Sequence, residues 1–308
     1  MILFRRLAVA STGATFLLIT IGGLVRATKS GLGCGPNWPD CPGSVTRALI
    51  IEFSHRAVAV VVVFLIAALA ITAVRHFRGL RSITMPAVAA FGLVVFQAIL
   101  GAVVVWLELE AASVVLHLAT ALGLLALLIY LAVTALVMDD RLETTLDLWA
   151  ARRSAWTAGL VFVLLLVGSY VTGSGAGDVF GDWPLMNGAV VPDLGSGDQA
   201  AHFAHRILAA VTGIVILAAL VGLAKRKETL VLQFRLAKVA STAFVVEAIV
   251  GALNVWSDLN AFWVTLHLGL GALVWSALVG GVVVSHPALQ PAGAPRSVQG
   301  SPAVLGAS

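Results

Sequence analysis

Gln97-Ala-Ile-Leu-Gly101-Ala-Val-Val-Val-Trp106 returns 150 residues later, at 247–256, as Glu247-Ala-Ile-Val-Gly251-Ala-Leu-Asn-Val-Trp256. The same offset lays Val115-Leu-His117-Leu on Thr265-Leu-His267-Leu and His55-Arg56 on His205-Arg206, without a gap. Gly22-Gly-Leu-Val25 matches Gly168-Ser-Tyr-Val171 at a slightly different offset. Two histidines, two tryptophans and several glycines do not fall into register by chance. The chain is therefore read as two related halves.

What each half contains follows from composition. Of 308 residues, 60% are apolar and only 11% charged, and mean hydropathy is +1.01. A soluble domain carries about 25% charged residues, so a soluble enzyme, a disordered chain and a nucleic-acid reader are excluded. Apolar runs of spanning length lie at 8–26, 49–74, 84–106, 112–137, 155–173, 200–223, 235–256 and 262–284. At about 20 residues per crossing they take up about 160 positions and leave no room for a large aqueous domain. The first run is too long for a signal-peptide core and has no small-residue cleavage site after it, so it reads as a retained helix. The expected fold is an all-α integral membrane protein of eight transmembrane helices, arranged as two pseudo-symmetric four-helix bundles. Four helices per half preserve orientation, so the repeat is parallel rather than inverted. The expected divisions are an N-terminal half over 1–138, a linker over 139–154, a C-terminal half over 155–285 and a disordered tail over 286–308, rich in Pro, Gly, Ala and Ser.

Orientation comes from the basic residues. Arg5, Arg6, Arg75, Arg78, Arg81, Arg141, Arg152, Arg153, Lys225, Arg226, Lys227, Arg235, Lys238 and Arg296 fall on one side, 14 of the 19 Lys and Arg. Arg26, Lys29, Arg47, Arg56 and Arg206 fall on the other, with most of the acids. The positive-inside rule then places both termini in the cytoplasm of a multi-pass cell-membrane protein. The stretch CGPNWPDC, holding both cysteines, Cys34 and Cys41, becomes extracytoplasmic, where a disulfide persists. That pair reads either as a structural staple or as a redox-active couple.

Four of the seven histidines are the repeated ones, and each lies near the outer start of an even-numbered helix. Two imidazoles at similar depth on two helices is what bis-axial ligation of a heme in a bundle requires. Zinc fits less well, because no Cys or acid is repeated in both halves to complete a tetrahedral set. One such histidine alone is commonly a satisfied hydrogen-bonding residue. Four in two matched pairs, at a cost of roughly 2.5–3.5 kcal/mol for an ionisable group at a helix centre, call for a ligand.

The halves differ at one telling place. Glu52 stands one helical turn before His55, where His202 precedes His205. A carboxylate beside one site only suits proton transfer or stabilisation of a developing cation, and otherwise reads as a partner for Arg56 or the loop. His202 reads as an interfacial residue, a propionate partner or a third group at the iron. Arg56 and Arg206 read as contacts for heme propionates or as snorkelling anchors. Gly101 and Gly251 read as close-packing positions, Trp106 and Trp256 as interfacial belt residues. Gln97 and Glu247 occupy equivalent deeper places, with the role of Glu247 open, and His76 and His286 read as solvated flanks.

Glu52-Phe-Ser-His55-Arg56, Leu116-His117, His205-Arg206, Leu266-His267 and the glycine-rich stretch GGLVRATKSGLGCGPNWPDCPG, on eight spans in two repeats, resemble the bacterial heme A synthase family over about residues 8–284. The resemblance implies oxidation of heme O to heme A: the C8 methyl is hydroxylated twice and loses water to leave a formyl group. It implies heme b as cofactor between His205 and His267, heme O as substrate between His55 and His117, Glu52 in the catalytic role, and Cys34 and Cys41 as the family's cysteine pair. Heme O synthase, the assembling terminal oxidase and an electron donor or acceptor are the partners it implies, beside the lipid bilayer. One departure is visible: many relatives carry a second cysteine pair between helices 5 and 6, and GDVFGDWPLMNG at 177–188 has none. A mechanism needing two disulfides does not apply.

Two other readings are set against this one. A di-heme b-type electron-transfer or quinol-oxidising protein would hold permanent hemes in both halves, and the one-sided Glu52 speaks against it. A parallel-repeat transporter would gather its polar groups at the midplane, whereas here they lie near one surface.

Overall fold

The computed structural model describes residues 1–42 and 44–289, and among them there is no strand. Eight long helices run α1 (Ile2–Ala27), α2 (Arg47–His76), α3 (Arg81–Trp106), α4 (Ala111–Met138), α5 (Leu148–Ser174), α6 (Gly197–Ala224), α7 (Val231–Trp256) and α8 (Ala261–Ser285). All eight are long and apolar enough to cross a membrane. Short 3-10 turns follow α5 (Ala176–Asp178) and α8 (Pro287–Leu289). The second turn occupies the start of the expected disordered tail; positions 290–308 lie outside the described residues.

Side-chain caps fix where the even-numbered helices begin, and with them the depth of the repeated histidines. Thr46 accepts from the Leu49 N–H at 3.1 Å, Glu110 from Ser113 at 2.9 Å and Asn260 from Phe262 at 3.0 Å. Ser196 and Gln199 form a reciprocal capping box on α6. Asp147 caps α5 by accepting from Ala150 at 2.8 Å. That helix consequently starts at Leu148, before the expected 155, and the linker shortens to 139–147.

Burial separates inner from outer helices. Of their most apolar windows, 61% of α4 and 67% of α8 are buried, against 22–33% in the other six. Helix α4 packs on α1, α3, α5 and α8, and α8 packs on α1, α4, α5 and α7, so α4 and α8 form the centre, α1 and α5 pack against both of them, and the other four flank the bundle. Glycines let the central helices approach. A Cβ on Gly23 would lie 2.9 Å from Leu268, one on Gly269 3.2 Å from Thr20, and one on Gly271 2.7 Å from Leu165. One core cluster joins Ile19, Leu122 and Leu125 of the first half to Val161, Ile216, Trp275 and Leu278 of the second. The two halves share a core.

The tight turns also recur at the 150-residue offset. Glu108 and Leu109 take φ of 52° and 64°, and Asp258 and Leu259 take 52° and 58°. A left-handed leucine costs roughly 1–2 kcal/mol. Each is set where its side chain meets a loop glycine: Leu109 lies against Gly31 and Leu259 against Gly177. The loop over 175–196 is longer than the one over 28–46, which explains the change of offset between the first helices and the rest.

Candidate functional site

The four repeated histidines stand on α2, α4, α6 and α8, in the first three turns, at the end of the bundle opposite the termini. Each ring is partly exposed, and each faces a glycine of a neighbouring helix. Built Cβ atoms on Gly22 and Gly101 would lie 3.4 Å from His55 Nε2 and His117 Cε1. On Gly168 and Gly251 they would lie 2.9 Å and 3.2 Å from Cε1 of His205 and His267. These four glycines leave the space that the rings occupy. Gly101 and Gly251 are thus more specific than packing positions; the signal available in the sequence was that they repeat in step with the histidines.

His205 and His267 come together with ring centroids 6.5 Å apart and planes at 76°. Two metal–imidazole bonds of about 2 Å, with about 1.1 Å from each nitrogen to its ring centre, would separate the centroids by about 6 Å. The pair therefore fits one metal centre between the rings. Nδ1 of His117, of His205 and of His267 is buried without a hydrogen-bond partner among the described residues. Nor do three or more His, Cys, Asp or Glu gather anywhere among the described residues as a cage for a bare ion. Pairs of imidazoles suit a group that brings its remaining ligands with it.

Gln97 and Glu247 serve their histidines differently. The Gln97 side-chain amide donates to the His117 carbonyl at 3.0 Å and accepts from Thr120 Oγ1 at 2.7 Å. Glu247 Oε1 instead lies 3.1 Å from Nδ1 of the His267 ring, and its Oε2 is buried without a partner among the described residues. Among the described residues, the second half alone places a carboxylate behind one of the repeated imidazoles.

Glu52 and His202 both reach back to the loop that precedes their helix. Glu52 is 4% exposed; its Oε2 accepts from the backbone N–H of Cys34 at 2.8 Å and its Oε1 pairs with Arg56. His202, 6% exposed, meets the Ala176 carbonyl through Nδ1 at 2.9 Å and accepts from Arg206 Nε at 3.1 Å. It is a buried loop anchor rather than an interfacial residue, a role set by a contact distant in sequence. Arg56 donates to the carbonyls of Asn37, Pro39 and Asp40 at 3.1, 3.2 and 3.1 Å. Arg206 donates to those of Asp182 and Leu185 at 3.0 and 2.9 Å. Both arginines clamp their loops, but Nη2 of Arg206 stays buried and unpartnered among the described residues. Of the two expected propionate contacts, Arg206 keeps a donor for an anion, and Arg56 is engaged by Glu52 and the loop.

Cys34 and Cys41 form a disulfide with Cα atoms 4.5 Å apart. Cys34 is 1% exposed and lends its N–H to Glu52, so the disulfide loop and the carboxylate are joined directly. In the matching loop of the second half, the backbone N–H groups of Gly188 and Asn187 hold the Asp182 carboxyl below the usual carboxylate range, with the nearby Arg206 adding to the effect. Trp106 and Trp256 are 57% and 59% exposed, as belt residues are.

The fold and the site together define a class: an all-helical, multi-pass membrane protein whose two related halves each carry a pair of imidazoles near one end. The profile of the family COX15-CtaA, cytochrome oxidase assembly protein, matches residues 5–49 and 45–279. The chain belongs to that family. It is 30% identical over 281 residues to the heme A synthase of Alkalihalophilus pseudofirmus, covering 88% of this chain and 93% of the relative. The heme A synthase of Symbiobacterium thermophilum is 30% identical over 287 residues, covering 89% and 92%. That of Staphylococcus haemolyticus is 28% identical over 279 residues, covering 85% and 90%.

Proposed function

We propose that this chain is a heme A synthase that oxidises the C8 methyl of heme O to a formyl group, through two hydroxylations and loss of water, to furnish heme A for a terminal oxidase. The observation that carries this reading is the paired histidine set in both halves, with a carboxylate, Glu52, one helical turn ahead of the histidine in the first half where the second has His202. His55 and His117 hold the iron of heme O. His205 and His267 hold heme b, for which their spacing and the spare Nη2 of Arg206 are suited. When bound, heme b supplies a one-electron centre able to draw electrons from the substrate half.

The remaining work belongs to the chain. Removing hydrogen from a ring methyl creates an electron-poor carbon and releases a proton. Glu52, fixed by Arg56 and the Cys34 N–H, is the group placed to stabilise the one or take up the other. Glu247 Oε1, 3.1 Å from Nδ1 of His267, is a carboxylate behind that ring that favours the tautomer with the proton on Nδ1 and leaves Nε2 for the metal. Gly22, Gly101, Gly168 and Gly251 keep the ring positions clear. Heme O carries a farnesyl tail, and a membrane bundle admits it sideways from the lipid. The distribution of basic residues supports cytoplasmic termini, with the disulfide loop on the outer face of the cell membrane.

The test is extraction and chromatography of the hemes from the purified protein, expressed with and without heme O synthase. Heme b alone without it, and heme b plus heme O or heme A with it, is the expected result. Two equivalents of heme b under both conditions would overturn the synthase reading in favour of a di-heme electron carrier.

A further inference from the structure

At the opposite end of the bundle from the histidines, a groove of about 450 Å³ runs between the start of α5 and the last turns of α6. Trp149, Arg152, Arg153 and Trp156 line one side, and Ile214 and Ala218 the other. Arg153 is about 15 residues from Gly168 at the histidine end of the same helix, or about 22 Å along its axis. The groove is therefore no part of the site already described.

Its charge is unbalanced. The Arg153 guanidinium lies over the Trp149 ring at 4.5 Å, and that of Arg226 over the same ring at 5.1 Å. Asp147 is taken by Arg226 at 2.7 Å. Among the described residues the Arg153 side chain donates one hydrogen bond, to the Ala218 carbonyl at 3.4 Å, and its Nε is buried without a partner. Arg152 is exposed and makes no hydrogen bond or ion pair among the described residues. The arrangement is built in: a Cβ on Gly222 would fall 3.1 Å from Arg153 Nη1 and 3.2 Å from the Trp149 ring. In the first half, by contrast, Arg5 at the start of α1 has its own carboxylate, Asp139. Two guanidinium groups without counter-charge, set among tryptophans at the mouth of an apolar cleft in a membrane-spanning bundle, match an anion carried on acyl chains.

We propose that this groove is a binding site for an anionic phospholipid, its phosphate held by Arg152 and Arg153 and an acyl chain laid along Ile214 and Ala218 between Trp149 and Trp156. Basic pockets between spanning helices recognise lipid head groups in this way, and each Lys or Arg near the surface contributes a severalfold gain in affinity. The site is independent of the heme A synthase reading.

The test uses the full-length protein in a neutral detergent, with thermal unfolding and native mass spectrometry followed on adding dioleoylphosphatidylglycerol, dioleoylphosphatidylcholine or inorganic phosphate. Phosphatidylglycerol is expected to raise Tm and remain bound, with phosphatidylcholine and free phosphate doing neither. R152Q/R153Q is expected to weaken phosphatidylglycerol retention on the order of tenfold. R152Q alone touches an exposed side chain with no contacts to lose, so a partial loss in that variant decides the matter if the double variant fails to fold. Equal retention of the two lipids, a Tm shift from inorganic phosphate alone, undiminished retention in R152Q, or displacement of the lipid by added heme would overturn the assignment.

Discussion

Glu52 has two jobs in one side chain: it anchors a loop and it stands one turn from His55. Replacing it by Gln keeps the size and an acceptor for the Cys34 N–H, so E52Q is expected to retain its hemes while heme A formation falls at least about 100-fold, as loss of a proton-transfer group does. Heme extraction after co-expression with heme O synthase reads both quantities. The glycines give a contrast at the same scale. G168A puts a methyl 2.9 Å from the His205 ring, whereas Gly159 has open space around it. The low-spin heme b absorbance should therefore be lost or shifted in G168A and unchanged in G159A. For Glu247, E247Q removes the carboxylate 3.1 Å behind the His267 ring and should raise the midpoint potential of heme b in a redox titration, by roughly 60 mV for each tenfold change in relative affinity. The histidines were legible in the sequence because they repeat. The glycines' purpose was not, since what a missing Cβ makes room for depends on the helix opposite. His202 was misplaced for the same reason: its partner, Ala176, is 26 residues away.

At the scale of the element, the loop over 28–46 is tied down by its disulfide, by Arg56 on three carbonyls and by Glu52 on the Cys34 N–H. Cutting the disulfide in C34S/C41S is expected to leave α1 and α2 in place while loosening Glu52. Heme b content should hold and heme A yield should drop, and full yield in that variant would remove the loop from the mechanism. The helices themselves were readable as apolar runs, but their order of burial was not. Helix α2 is the most apolar of the eight by mean hydropathy and only 33% of its window is buried, while the less apolar α8 is 67% buried. Lipid tails are as apolar as leucine, so hydropathy reports membrane residence and says little about which helix is central. The start of α5 was misjudged because its first turns carry Arg152 and Arg153, which break the apolar run without breaking the helix.

Across the whole molecule, the halves meet along α1, α4, α5 and α8, and Gly23 is one of the closest points of that seam. G23V would drive its side chain into Leu268, the neighbour of His267, and overpacking of this kind costs about 1–3 kcal/mol. A lower Tm with a perturbed heme b spectrum is the expected outcome, because the strain falls next to a ligand in the other half. The fold class was visible in the eight apolar runs, and the sequence repeat in the self-match, which compares residues with residues. The shared core was not, because a repeat says nothing about how its copies dock.

Glu52 tethers its loop through a backbone N–H, and His202 tethers the matching loop through a backbone carbonyl. The position one turn ahead of the histidine therefore asks only for a polar group long enough to reach the main chain. A carboxylate in one half and an imidazole in the other can therefore stand at this position without either loop coming unfastened, so the chemistry beside the histidine is separable from the fastening of the loop.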